Sequence, residues 1–203
     1  MDGTQNLDGL VAVSGMLKAC AVTLSKMSND LRLMSSGPKT GLAEINLPAK
    51  QNGSSIMPGK VNPVIPEVMS QVAYAVIGND MTITMCAEGG QLELNAFEPV
   101  AFYRLFESIT ALTGAVQTLT DNCVLGITAN ADRCQDLLDH SVCTVTALTP
   151  HIGYKHSAAI AKTALKTGKT IRQLVLEEKL LTEAELDEIL NPANMTEPGN
   201  ALH

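Results

Sequence analysis

The chain of 203 residues contains no tryptophan, and Phe and Tyr together make up only 3% of it. A core without large rings must be filled by Leu, Val, Ile, Ala and Met, which commonly pack between helices. Cations are also scarce, with 14 Lys and Arg against 21 Asp and Glu and a formal charge of -7. Proteins that grip phosphate backbones carry clustered Lys and Arg, so nucleic acid is excluded as a general partner. No unbroken apolar run approaches about 18 residues, and the first residues lack a basic-then-apolar leader, so neither a membrane span nor export is indicated. The five cysteines, Cys20, Cys86, Cys123, Cys134 and Cys143, are odd in number and show no CxxC spacing. They fit free thiols in a reducing cytoplasm better than a disulfide framework.

What is present reads as helix. Apolar residues make up 45% of the chain, enough for one large or two small cores. Leu10, Val13, Leu17, Cys20, Leu24, Met27, Leu31 and Met34 step alternately by three and four, the a/d seam of a long bundle helix. Ser35-Ser36-Gly37-Pro38 ends it, because Gly caps a helix and Pro cannot continue the ladder. Apolar residues from Val64 to about Cys86 cover most of a helix circumference, which predicts burial on several sides. Phe102, Leu105, Ile109, Leu112, Val116, Leu119 and Cys123 repeat the seam in a third helix over about 99–125. Three such seams call for facing partners, so self-association in a closed symmetry is expected.

Beyond Asn130 the pattern changes to short amphipathic helices, with breakers at Thr149-Pro150, Gly168 and Asn191-Pro192. The predicted organisation is therefore all-α, with a long-helix bundle over 1–129 and a small helical domain over 130–203. Thr170-Ile-Arg-Gln173 and Thr182-Glu-Ala-Glu185 are capping boxes, which specify helix starts and no chemistry.

Few motifs point to chemistry. Gly168-Lys169-Thr170 lacks the glycine that a phosphate-binding loop needs at position 163, where Thr163 stands. His140, His151 and His156 have no companion at ligand spacing, so no residue cluster calls for a metal. The acidic residues Glu177, Glu178, Glu183, Glu185, Asp187 and Glu188 read as solvated helix faces. The irregular stretch 37–63 stands apart, with four prolines and four glycines in a connection too long to be a simple turn. Its last part is GSSIMPGKVNP, residues 53–63. Gly53 and Gly59 let a ligand approach the main chain, and successive N–H groups form an anion-binding concavity. Lys60 adds a point charge and Asn62 an amide donor. Ser54 serves as a base only where N–H donors or positive charge stabilise its oxyanion. Spacing alone leaves both a helix linker and an anion site open.

GSSIMPGKVNP matches every fixed position of the signature GSSxMPxKxN, and by it the chain closely resembles the fumarase/aspartase superfamily of lyases. The similarity extends to SKMSNDLRLMSSGPKTGLAEINLP, NPVIPEVMSQVAYAVIGND, AEGGQLELNAFEPV and, in the small domain, TPHIGY, and the resemblance covers essentially the whole chain. GLAEINLP, VIPEV and AEGGQLELN look more like the aspartate-deaminating branch than class II fumarases. The resemblance implies part of a central many-helix domain, a homotetramer with sites shared between subunits, and a whole protein roughly twice as long as this chain. It implies reversible deamination of L-aspartate to fumarate and ammonia, with malate/fumarate hydration or a non-catalytic helical assembly module as alternatives. Residue by residue, Ser54 matches the general base. Ser55, Ile56, Met57, Lys60 and Asn62 match substrate-binding positions, and Glu67 matches an acidic residue that pairs with a histidine of another subunit. The remaining substrate-binding segments lie upstream of Met1, so the isolated chain is expected to be inactive. The resemblance implies no cofactor, and the sequence is silent on an activating divalent cation.

Overall fold

The computed structural model describes residues 2–51, 53, 56, 57 and 59–196. The chain parts into two compact units, Met1–Asn130 and Ala131–His203.

The first unit opens with a short helix α1 (Asp2–Gln5) and is built on three long helices, α2 (Asp8–Met34), α3 (Val64–Glu88) and α4 (Glu98–Asn122). Their shared core consists of Ala21 from α2, Met69, Ala73 and Val76 from α3, and Leu112, Ala115 and Leu119 from α4, with Cys123 just beyond. Burial drives the Cys123 thiol pKa up, which keeps it protonated and inert. None of the five cysteines, all of them among the described residues, is joined in a disulfide.

The helices form where the seams predict them, but the seams face in unexpected directions. On α2 the buried stripe is Ser14, Ala21, Ser25 and Ser28. Leu17, Leu24 and Leu31 are half-buried beside it, while Val13 and Met27 are 43% and 46% exposed. The physical reason is side-chain size, because Ser and Ala let α3 approach closely and leave the longer column outside. On α4 the seam splits in the same way. Leu105, Leu112 and Leu119 are buried, whereas Phe102, Ile109 and Val116 are each 39% exposed. Burial of α3 on several sides does not occur within this chain, since Tyr74, Met81 and Met85 are exposed.

By length and composition α2 is apolar enough to cross a membrane, although it lacks an unbroken apolar run. Within the unit it packs on α3 around a buried charge. Asp80 of α3, only 6% exposed, accepts hydrogen bonds from Ser14 Oγ at 2.7 Å and Lys18 Nζ at 2.5 Å. Burial opposes its ionisation, but the bonds to Lys18 and Ser14 outweigh burial and hold its pKa below the ordinary 3.8. A carboxyl with a depressed folded pKa stabilises above its unfolded pKa and loses that contribution as pH falls through the folded one. Asp80→Asn is therefore expected to cost about 2 kcal/mol at neutral pH, since Lys18 is half-exposed and partly recovers water. Denaturant unfolding at pH 7 and at acid pH checks this: the gap between wild type and variant must close in acid, and a pH-independent gap contradicts the assignment.

The connection after α3 is fixed by a buried asparagine. Asn95 donates to the Cys86 carbonyl at 2.9 Å and accepts from the Phe97 amide at 2.8 Å, which sets where α4 begins. A two-residue strand β1 (Ile45–Asn46) pairs antiparallel with β2 (Thr128–Ala129), tying the long irregular stretch to the segment that follows α4.

The second unit holds α5 (Ala131–Asp139), α6 (Val145–Thr167), α7 (Ile171–Glu177), α8 (Glu183–Ile189) and α9 (Pro192–Thr196) around Leu148, Ile160, Leu174, Val175 and Leu186. Thr170 and Thr182 form complete capping boxes with Gln173 and Glu185. The backbone and side-chain bonds of Thr182 lower the Glu185 carboxyl pKa. Gly168, at φ 73°, caps α6. The expected break at Thr149-Pro150 lies instead at Gly153, whose φ of 77° interrupts α6, while Pro150 sits inside the helical run. Glycine adopts that left-handed conformation without strain, and so the kink settles there.

Candidate active site

The floor of the site is made by the end of α2 folding back on itself. The amides of Ala43 and Glu44 donate to the carbonyls of Ser36 and Met34 at 2.7 and 2.9 Å. Ser36 Oγ donates to the Leu33 carbonyl at 2.6 Å and accepts from the Leu42 amide at 3.1 Å. These bonds satisfy carbonyls that a helix terminus leaves open. They also deliver the chain into β1, where Asn46 and Asn130 exchange side-chain bonds at 2.6 and 3.1 Å.

The signature loop is pinned at its base. Gly53 N–H donates to the Lys60 carbonyl at 2.8 Å, and Asn62 Nδ2 donates to the Gly53 carbonyl at 3.0 Å. A Cβ on residue 53 would lie 2.1 Å from the Lys60 carbonyl oxygen, so only glycine permits this closure. Gly59 turns the chain at φ 81°. Helix α3 then starts at Val64, with Pro63 before it and Glu67 in its first turn, where the helix N-terminus favours an anion.

Together these elements surround a cavity of about 800 Å³ within the first unit. Its lining includes Lys60, Asn62 and Glu67, three of the residues singled out in the sequence. Ile56 and Met57 lie in the same loop and are 86% and 51% exposed. Ser54 and Ser55 lie outside the described residues. The Asn62 amide carries two hydrogens, so its bond to Gly53 leaves one for a substrate oxygen.

Among the lining residues with long polar side chains, Arg32, Asn46 and Asn130 escaped the sequence reading. Arg32 reads as an ordinary cation in the last turn of a helix, and Asn130 stands 84 residues from its partner Asn46 with no signal linking them. Arg32 Nη2 stands 3.7 Å from Glu67 Oε1. The described lining thus carries two cations, Arg32 and Lys60, and one carboxylate, a balance that favours an anionic ligand. Among the described residues no cluster of His, Cys, Asp and Glu is arranged to hold a metal ion. A second cavity of about 370 Å³ lies beside α3 and α4, and its polar groups are occupied with one another: Glu107 accepts from Asn79 at 3.0 Å and Arg104 at 2.8 Å.

Known proteins share this arrangement of sequence and fold. Residues 1–78 match the family model described as Lyase, and residues 145–197 match Fumarase C C-terminus. Aspartate ammonia-lyase of Pseudomonas aeruginosa is 57% identical over 98% of this chain and 42% of its own length. The Escherichia coli aspartate ammonia-lyase is 51% identical over 98% of this chain and 41% of its own. The chain thus spans about two fifths of the length of the curated relatives it matches. Among solved structures, fumarate lyase:delta crystallin from Brucella melitensis bound to cobalt superposes with a TM-score of 0.91, at 49% identity, over 97% of this chain and 43% of that one. Class II fumarase from Schistosoma mansoni gives a TM-score of 0.90 at 40% identity, over 98% of this chain and 41% of that one. With this identity along nearly its whole length and a closely superposing helical fold, the chain belongs to the fumarase/aspartase superfamily of lyases.

Proposed function

We propose that this chain supplies the signature loop, the adjoining bundle helices and the small helical domain of an aspartate ammonia-lyase. The observation that carries the reading is the single cavity gathering Lys60, Asn62 and Glu67, in a chain 51% to 58% identical to proteins of that name. Ser54 removes a Cβ proton from L-aspartate. The electron pair left on Cβ spreads into the neighbouring carboxylate, giving an aci-carboxylate with two negative charges on one carboxyl group. The N–H groups of Ser55, Ile56 and Met57, with Lys60 and Asn62, meet that charge as it develops. Preformed donors of this kind are often worth about 3 kcal/mol each. The Cα–N bond then breaks, Cα and Cβ become doubly bonded, and ammonia and fumarate leave. No cofactor takes part in this sequence. Glu67 supports the site from the first turn of α3.

The exposed seam residues Val13, Met27, Phe102, Ile109 and Val116 support assembly into a larger bundle, a homotetramer in the full-length protein. Cysteines without a disulfide fit a cytoplasmic setting. The isolated chain makes no fumarate, because the other substrate-binding segments belong to the remaining three fifths of the protein.

A second reading, malate/fumarate hydration by the same proton abstraction, is favoured by the likeness to the Schistosoma fumarase. Assay of the full-length protein with L-aspartate and with L-malate separates the two. Fumarate formed from aspartate is the expected result, and turnover of malate alone replaces the ammonia-lyase reading with the fumarase one.

A further inference from the structure

The signature loop has two stems, and the bonds among Gly53, Lys60 and Asn62 secure only the one that leads into α3. The other stem, residues 45–48, is braced by residues 126–130, which follow α4. Gly126 lies so close to Pro48 that a Cβ on it would stand 2.5 Å from the proline Cγ. Ala129 pairs with Ile45 and Thr128 with Asn46 across β1 and β2. Asn130 completes the brace. Its N–H donates to the Glu44 carbonyl at 2.8 Å, and its Nδ2 donates to the Ala43 carbonyl at 2.9 Å and to Asn46 Oδ1 at 3.1 Å. Its Oδ1 accepts from Asn46 Nδ2 at 2.6 Å.

The bond to Ala43 meets a specific need. Ala43 has φ 52°, in the left-handed region that a Cβ disfavours. A residue other than glycine keeps such a conformation only where its surroundings over-determine it. Here the Ala43 N–H is held by the Ser36 carbonyl at 2.7 Å and the Ala43 carbonyl by Asn130. Ala43, Asn46, Pro48 and Asn130 all line the cavity. The strained turn and its brace therefore set one wall of the cavity and the direction in which the chain leaves for the loop.

We propose that Asn130 is a positioning residue for the signature loop: its side-chain amide locks the left-handed turn at Ala43 and the stem at Asn46, and so fixes where Ser54 stands against the substrate. It acts through the backbone and touches no reacting atom. The proposal rests on the ammonia-lyase reading, which puts the base on this loop.

The test is steady-state kinetics of the full-length enzyme with L-aspartate and with L-aspartate deuterated at Cβ. Asn130→Ala is expected to lower kcat about ten-fold, since a misplacement of about 1 Å costs up to about 10²-fold, and to leave KM within about three-fold of wild type. The isotope effect on kcat rises, because proton removal is the step that slows. Asn130→Asp has nearly the same shape but loses the donor to the Ala43 carbonyl, so it shows the same loss and serves if Asn130→Ala does not fold. In either background Ala43→Gly is expected to recover at least about three-fold in kcat, because glycine holds a left-handed turn without a clamp. An unchanged kcat with only a lowered Tm overturns the proposal by making the brace purely structural. A raised KM that Ala43→Gly does not repair overturns it by placing the amide on the substrate itself. A lowered kcat with no rise in the isotope effect overturns it by moving the loss to another step. Any of these results, obtained while wild type deaminates aspartate and Ser54→Ala does not, leaves the ammonia-lyase reading standing. Turnover of malate alone by wild type moves the same measurements to that substrate, whereas turnover of neither removes the reading and this proposal with it.

Discussion

Ser54→Ala in the full-length protein is expected to lower kcat for fumarate formation from L-aspartate by about 10³-fold, within the 10²–10⁴ range of a lost general base. A serine hydroxyl is a poor base at neutral pH, so its use requires surroundings that favour the oxyanion. The structure shows what brackets this position. Gly53 is held by the Lys60 carbonyl, and Gly59 and Lys60 return the chain to the cavity wall. Removing Oγ takes away the base and leaves the carboxylate-binding groups in place, so the loss falls on kcat, with KM changed little. Steady-state kinetics with single-turnover measurement of the chemical step checks this. Normal turnover by Ser54→Ala would remove catalysis from the loop and return the chain to a helical assembly module.

Lys60→Met is expected to lower kcat/KM about 10²-fold, the effect of losing one charge-assisted donor at a developing dianion. Met keeps the length and flexibility of the stem and removes only the charge. Because the substrate carboxyl gains a second negative charge between ground state and aci-carboxylate, the larger part of the loss appears in kcat. Lys60→Arg is expected to restore little, since a planar fork replaces a compact ammonium at a site pinned through the Lys60 backbone. A rise in KM alone, with kcat intact, would show that Lys60 binds substrate and transition state equally.

Much of the fold is legible in the residue pattern because the signals are local. The end of α2 at Met34, the start of α3 at Val64 and the capping boxes at Thr170 and Thr182 follow from prolines, glycines and hydroxyl side chains within a few residues of each boundary. The break in α6 shows the limit of that logic. Pro150 and Gly153 both signal disruption, and the left-handed conformation open to glycine decided between them. Half of the site is legible for another reason. Lys60, Asn62 and Glu67 lie within eight positions of one another, so one loop and one helix start suffice to bring them together.

By itself, the sequence determined an all-helical chain, the places where its long helices begin and end, and the one loop rich enough in glycine and polar groups to serve an anion. Tertiary structure alone decided which column of each seam is covered. An a/d repeat specifies a stripe, but the stripe faces whichever neighbour can come nearest, and Ser14, Ala21, Ser25 and Ser28 let α3 come nearer to α2 than the leucines do. It also decided the charge balance of the cavity. Arg32 and Glu67 are 35 positions apart, and Asn46 and Asn130 are 84 apart. Their meeting depends on how α2, α3 and the β1–β2 pair fold together, and no local pattern in the chain records it.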